Sequence, residues 1–248
     1  MPNISVIIIN WSTPELVKSQ MEVLHKDPSV EVILVDNFST SENAKKISQL
    51  SKKVSHVILN NKNLGFSAAG NQGAHIAKGE WLLFLNPDLQ ITDAAVSAFV
   101  KEAIASGLDA ASPTTDDPRY LKPLPSLFSL ITEFSPLHRV VPLSLFTQKT
   151  LTGGCLLIKK DVFEKIGKWD EDYFLWFEDS DITKRLLDAH YKVGWVDIPV
   201  VHQGGASFTH ISKQKRNQLF FTSMKIYANK HFSHWGNRVV ELLAKRFT

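Results

Sequence analysis

Residues 80–90 read EWLLFLNPDLQ, and five apolar residues in a row, Trp81 to Leu85, run straight into Asn86-Pro87-Asp88. An apolar run of that length, closed by a helix-breaking proline, predicts a buried strand that stops abruptly. A carboxylate at such an end is either a turn residue or a group held out for chemistry. The flanking chain separates the two readings.

Upstream the same pattern repeats. Ile4–Ile9 is β-branched and followed by turn residues, and Glu31–Val35 and Val54–Leu59 predict two further strands. Leu16–Leu24, Ser41–Leu50 and Phe66–Ala77 carry helical spacing, and Pro14 sits as a first-turn proline behind the cap candidates Ser12 and Thr13. Asp93–Ala105 is a fourth expected helix. This alternation predicts an α/β fold with a Rossmann-like, mainly parallel sheet and helices on both faces. Such sheets bind ligands outside the carboxyl ends of their strands, near a switch in strand order. Here those ends are polar: Asn10-Trp11-Ser12, Asp36-Asn37, Asn60–Asn63 and Asn86-Pro87-Asp88.

The rhythm breaks across residues 113–150, which hold Pro113, Pro118, Pro123, Pro125, Pro136 and Pro142 and are expected as a long working loop. Regularity returns with a strand over Gly153–Lys159, helices over Asp161–Ile166 and Ser180–Ala189, and a strand region over Tyr191–Val201 that runs into His202. Residues 1–211 are thus expected as one domain: a nucleotide-binding half (1–112), the proline-rich loop, and a second half (151–211). Residues 212–248 follow as a basic amphipathic helical tail.

Bulk properties narrow the function. With 248 residues, 44% hydrophobic and 21% charged, the chain has room for one large core. The lone Cys155 excludes an internal disulfide and fits a reducing cytoplasm. No stretch reaches the ~18 apolar residues of a membrane span, and no basic region precedes the first apolar run as in a signal peptide. The net charge of +3 divides into −4 over residues 1–211 and +7 over 212–248, which argues against a chain-wide nucleic-acid surface. In the tail, Phe220, Phe221, Tyr227, Trp235, Leu242 and Phe247 mixed with Lys and Arg suit either an interfacial helix on anionic lipid or a helix packed on the domain.

Four groups of residues could carry chemistry. Asp36 and Asp88 end neighbouring strands, where one carboxylate can accept from a nucleobase or ribose and the other can hold a divalent cation. Glu178, Asp179 and Asp181 crowd three carboxylates into four positions behind the aromatic run Tyr173-Phe174-Leu175-Trp176. They repel one another unless a cation, a proton or a helix N-terminus compensates. They are helix-start charges or a general base beside a sugar-sized pocket. His202 is a buried ring or the completion of a metal shell begun by Asp88. LGFSAAGNQG (64–73) lacks the spacing of a dinucleotide fingerprint.

The stretches VIIINW (6–11), VDNFST (35–40), NLGFSAAGNQG (63–73), LFLNPD (83–88), TGGCLLIKKDVFEKIGKWDEDYFLWFEDSDITKRL (152–186) and VVHQGGAS (200–207), in that order, resemble family 2 glycosyltransferases, closest to the rhamnosyltransferase-like branch. The resemblance implies a GT-A fold and an inverting single displacement from a nucleoside-diphosphate sugar, such as dTDP-L-rhamnose, onto a cell-surface or lipid-linked glycan. It implies Trp11 against the nucleobase, Asp36 accepting from it, and Asn10, Asn63, Gly65, Asn71 and Asn86 around the donor. Trp176 and Glu178 would contact substrate. Asp88 would bind Mg²⁺ or Mn²⁺ with His202, and Asp179 would be the base. The Asn86-Pro87-Asp88 element carries one aspartate where many members carry two. A lipid-linked acceptor would add a peripheral membrane contact through residues 212–248, on the cytoplasmic face.

Overall fold

Every residue of Trp81–Leu85 is buried, in a strand with a neighbour on each side. The computed structural model describes residues 3–24, 27–50, 54–114, 122–142, 145–202 and 211–245. In chain order its strands are β1 (Ile4–Asn10), β2 (Val30–Asp36), β3 (His56–Leu59), β4 (Trp81–Leu85), β5 (Leu89–Gln90), β6 (Ala110–Pro113), β7 (Cys155–Lys159), β8 (Val193–Val196) and β9 (Val201–His202). The helices are α1 (Pro14–Val23), α2 (Ser41–Gln49), α3 (Phe66–Ile76), α4 (Asp93–Ala105), α5 (Leu127–Glu133), α6 (Lys160–Lys165), α7 (Glu178–Asp188), α8 (Lys213–His231) and α9 (His234–Ala244).

Seven strands form one sheet in the order β3-β2-β1-β4-β7-β6-β8. β1 pairs in parallel with both β2 and β4; β2 and β3 extend the sheet on one side of β1 and β4 opens the other side, so the strand order switches there. β7 runs antiparallel between β4 and β6, with Leu85 opposite Cys155. That reversal brings residues 150–154, which precede β7, to the edge where β4 ends.

Strand periodicity explains why both faces are apolar. Ile4, Val6 and Ile8 of β1 join Val17 and Met21 of α1 and Phe99 of α4 in one core. Ile7 and Ile9 point the other way, onto Ala69 and Ala74 of α3 and Ile182 and Leu186 of α7. Each fully buried aliphatic side chain contributes roughly 1.5–3 kcal/mol.

Several local expectations change. Neither Ser12 nor Thr13 caps α1 through its side chain; Asn10 Oδ1 instead accepts from Thr13 N (3.1 Å) and Thr13 Oγ1 (2.7 Å). The proline-rich stretch is not loop throughout. α5 forms inside it because Ser126 and Ser129 make a reciprocal capping box and the prolines flank the helix without interrupting it. A 3₁₀ turn follows at Pro136–Arg139, and Pro123 bridges to Lys149. The region 191–201 divides into β8 and β9, and β9 pairs with β5 in a separate ribbon. Residues 203–210, which include the end of the VVHQGGAS stretch, lie outside the described residues, as does Phe247.

The tail folds back. Phe221, Met224 and Tyr227 of α8 and Val240 and Ala244 of α9 form a third core with Leu130 of α5 and with Tyr173 and Phe177. Phe220, Phe221 and Tyr227, which suited an interfacial helix, are therefore spent on packing. Trp235 (68% exposed) and Leu242 (64%) are not.

Candidate active site

At the carboxyl ends of β1, β2 and β4 lies a cavity of about 960 Å³, at the upper end of the ~300–1,000 Å³ usual for ligand pockets. β1 contributes Ile9 and then Trp11; β2 is followed by Asn37 and Phe38; β4 is followed by Asn86, Pro87 and Asp88. The opposite wall is Phe174, Leu175, Trp176, Glu178 and Asp179, and the floor is Thr150, Leu151 and Thr152. Asp88 and Asp179, far apart in sequence, therefore face one space.

An amide network shapes the wall beside β2. Asn37 Nδ2 donates to Asn63 Oδ1 (2.9 Å) and to the Gly65 carbonyl (3.0 Å). Its Oδ1 accepts from Asn60 Nδ2 (3.1 Å) and Leu64 N (3.0 Å). Gly65 adopts φ +86°, a conformation that glycine takes without a side-chain penalty. The Phe174 backbone lies against it, and Phe66 N donates to the Phe174 carbonyl at 2.9 Å.

Asn10, Asp36 and Asn71, expected around the donor, stand behind the cavity wall and not in it. Asp36 is buried, and its Oδ1 accepts from Asn10 Nδ2 (2.8 Å) and Ser39 Oγ (2.6 Å). The parallel register puts Asn10 directly beside Asp36, so the pair ties the β1 end to the β2 end. Asn71 sits on α3 with its amide turned to another task. Its Nδ2 donates to the Trp169 carbonyl and to Glu171, and its Oδ1 accepts from Trp169 N.

The acidic wall rests on an unusual helix start. α7 begins at Glu178, two residues before the expected Ser180, and its cap residue Phe177 is left-handed (φ +65°), as is Trp176 (φ +67°). Two consecutive bulky residues in that region cost about 1–3 kcal/mol each. The turn aims Glu178 and Asp179 into the cavity. Asp179 Oδ1 accepts from Ser180 N at 2.7 Å. Leu151 N donates to Thr183 Oγ1 (3.0 Å), which fastens the floor to α7.

Burial raises both carboxyls. Glu178 is pushed up to about 8 by burial first and by the Asp179 charge second, and its Oε2 has no hydrogen-bond partner among the described residues. Asp179 keeps part of its surface on the cavity yet is deeply surrounded, and burial raises it, opposed by Lys122 and by the N–H groups of Ser180 and Gly153. Burial thus favours the protonated form of both groups, and at Asp179 the neighbouring N–H groups and Lys122 work toward the anion. The third acid, Asp181, is held below the usual carboxylate range by His231 and Arg185 despite its burial.

Asp88 opens on the same cavity. The pairing of Leu89 with His202 puts His202 at the register position beside it; the His202 side chain lies outside what is described. Among the described residues, no three His, Cys, Asp or Glu side chains gather closely enough to hold a metal by themselves.

Some wall residues had not been expected. Phe38, in the polar turn after β2, is 47% exposed and left-handed (φ +74°). An aromatic among turn formers was its only signal. Lys62 and Lys122, together with Lys215 and Leu219 of α8, complete the wall; nothing in their local sequence announced it.

Comparison with known proteins agrees with this geometry. The sequence matches the family described as Glycosyl transferase family 2 over residues 5–167. It is 24% identical to the low-salt glycan biosynthesis hexosyltransferase Agl10 of Haloferax volcanii, over 96% of this chain and 80% of that one. It is 27% identical to the N-acetylglucosaminyl-diphospho-decaprenol L-rhamnosyltransferase of Mycobacterium tuberculosis, over 83% of this chain and 77% of that one. The fold is similar to that of a mannosyltransferase from Pyrobaculum calidifontis solved with GDP-mannose and Mn²⁺. That likeness has a TM-score of 0.65 at 14% identity and covers 99% of this chain and 73% of that one.

Proposed function

The chain belongs to glycosyl transferase family 2, and on that premise we propose that it moves a sugar from a nucleoside diphosphate to a glycan acceptor by a single inverting displacement in the cavity described above. One observation carries the reading: Asp88 and Asp179 open on the same space from opposite walls.

In this reading Trp11 and Phe38 flank the nucleobase, and the Asn37–Asn63–Gly65 wall holds the nucleoside. Asp36 and Asn10 act from behind, keeping the β1 and β2 ends in register. Asp179 accepts the proton of the attacking hydroxyl, a contribution worth about 10²–10⁴-fold in rate. Glu178, protonated, donates to a sugar oxygen. Phe174, Leu175 and Trp176 exclude water from the side where the acceptor enters.

The residues suit a divalent cation of the Mg²⁺ or Mn²⁺ kind. Asp88 is a hard oxygen ligand at the cavity, His202 is adjacent in the β5–β9 ribbon, and the diphosphate brings further oxygens. When bound there, such an ion offsets the charge that grows on the departing diphosphate.

The relatives named above point to a hexose or deoxyhexose donor, with dTDP-L-rhamnose the first to test, and to a lipid-linked acceptor. A lipid-linked acceptor accords with a peripheral contact through the outward face of α9. A thermal-shift panel of UDP-, dTDP- and GDP-sugars with Mn²⁺ tests the donor site. A ligand at ~100 times its Kd adds about 2.7 kcal/mol to apparent stability. A panel without any shift, with and without metal, would refute the reading.

A further inference from the structure

We infer that α8 is part of the catalytic apparatus, and that His231, acting through Asp181, is a positioning residue for Asp179. The inference rests on the reading of Asp179 as the base.

α8 grips the chain on both sides of Asp179. Before it, Ser223 Oγ donates to the Leu175 carbonyl at 2.8 Å. Just before the helix, Phe220 and Tyr227 pack on the left-handed Phe177, with ring centres 5.3 and 5.7 Å away. After it, His231 Nε2 lies 2.7 Å from Asp181 Oδ1. Asp181 is 1% exposed and two residues beyond Asp179 in the first turn of α7. Its other oxygen accepts from Arg185 Nε at 2.8 Å, and Arg185 Nη2 reaches the Lys168 carbonyl at 2.9 Å. The His231 ring is fixed in turn against Tyr227, 4.6 Å between centres.

The need for this grip lies in the backbone. Trp176 and Phe177 occupy a region that bulky residues avoid, and Phe177 caps α7 without a side-chain hydrogen bond. Within the segment, Tyr173 Oη reaches Asp181 Oδ1 at 3.4 Å, a long contact across the strained turn. α8 adds support on both sides of Asp179, at Leu175, Phe177 and Asp181, and its opening turns also supply Lys215 and Leu219 to the cavity wall. A turn held from outside keeps Asp179 aimed at the acceptor hydroxyl. A misplacement of about 1 Å at a reacting group costs on the order of 10²-fold in rate.

The test uses the full chain with His231→Leu, His231→Gln and Ser223→Ala. Two readouts are taken: hydrogen–deuterium exchange over residues 170–188, and release of nucleoside diphosphate from UDP-, dTDP- and GDP-sugars with Mn²⁺. His231→Leu is expected to raise exchange at 174–182 by about tenfold while β1–β4 stay protected. It should lower turnover on the order of 10²-fold with donor KM unchanged, and His231→Gln, which can still donate to Asp181, should recover most of both. Unchanged exchange in His231→Leu, or a Gln variant no better than Leu, overturns the inference. If His231→Leu does not fold, Ser223→Ala decides: lost protection confined to 174–178 supports the grip, and wild-type protection overturns it. Should the wild-type chain neither release nucleotide nor show a thermal shift with any of these sugars, the function fails, and the exchange pattern still decides the role of α8.

Discussion

Gly65 and Phe174 touch where no side chain fits: a Cβ on Gly65 would lie 2.6 Å from the Phe174 carbonyl oxygen. The same carbonyl accepts from Phe66 N, so the first turn of α3 and the aromatic wall close on each other through backbone alone. This contact joins the two halves of the cavity, since Gly65 belongs to the wall beside β2 and Phe174 to the wall opposite.

Gly65→Ala is therefore expected to be costly twice. The φ of +86° is strained for alanine by about 1–3 kcal/mol, and the methyl group collides with backbone that cannot turn aside. Urea unfolding should show at least that loss, and the nucleotide-sugar thermal shift should shrink or vanish. A variant with wild-type stability and binding would mean that the two walls need not meet.

Asp179→Asn keeps the shape and removes the proton acceptor. Turnover should drop about 10²–10⁴-fold, while the thermal shift given by the nucleotide sugar stays within a few-fold in apparent affinity. A variant that turns over at the wild-type rate would reduce the acidic wall to a helix start.

Much of this arrangement was legible in the sequence, and the limits have physical causes. β4 and α4 fall on Trp81–Leu85 and Asp93–Ala105 as expected, because an apolar run and a capped periodic run are local signals. Asp88 faces the cavity because polar strand ends at a switch point converge, and Asp179 meets it there from the turn that opens α7. The antiparallel course of β7 was invisible, since an apolar pentapeptide reads the same in either direction. Asn10, Asp36 and Asn71 have the right chemistry for a donor site; what the sequence does not display is that Asn10 and Asp36 bond each other across 26 residues and that Asn71 bonds Trp169 and Glu171, 98 and 100 residues away. Residues 212–248 read equally as an interfacial helix or as one packed on the domain, because the partners of α8, Tyr173, Phe177 and Asp181, lie more than 30 residues upstream.

Glu178 gives a pH signature. The folded chain keeps its proton up to about 8, whereas the unfolded chain releases it near the ordinary value of 4.5. Unfolding therefore releases a proton between those values, and stability falls as the pH rises through that window, by up to about 1.4 kcal/mol per pH unit. Glu178→Gln should flatten the decline between about pH 5 and 8. Identical slopes of Tm against pH in the two proteins would show that Glu178 ionises freely.

The outward face of α9 supports the last prediction. Gly236, Val240 and Ala244 are buried at four-residue intervals, so the opposite stripe carries Trp235, Arg238, Leu242 and Lys245, all exposed. A tryptophan and a leucine centred on the solvent side and bordered by two cations fit the boundary of an anionic bilayer, where apolar rings enter and Lys or Arg meet headgroups at about 1 kcal/mol each. The full chain should therefore co-sediment with phosphatidylglycerol vesicles more than with phosphatidylcholine vesicles, and less as salt is raised. Trp235→Glu with Leu242→Glu should abolish that recovery and leave the nucleotide-sugar thermal shift intact, because neither residue lines the cavity. Equal recovery of wild type and variant on phosphatidylglycerol would remove the membrane contact and leave the donor site untouched.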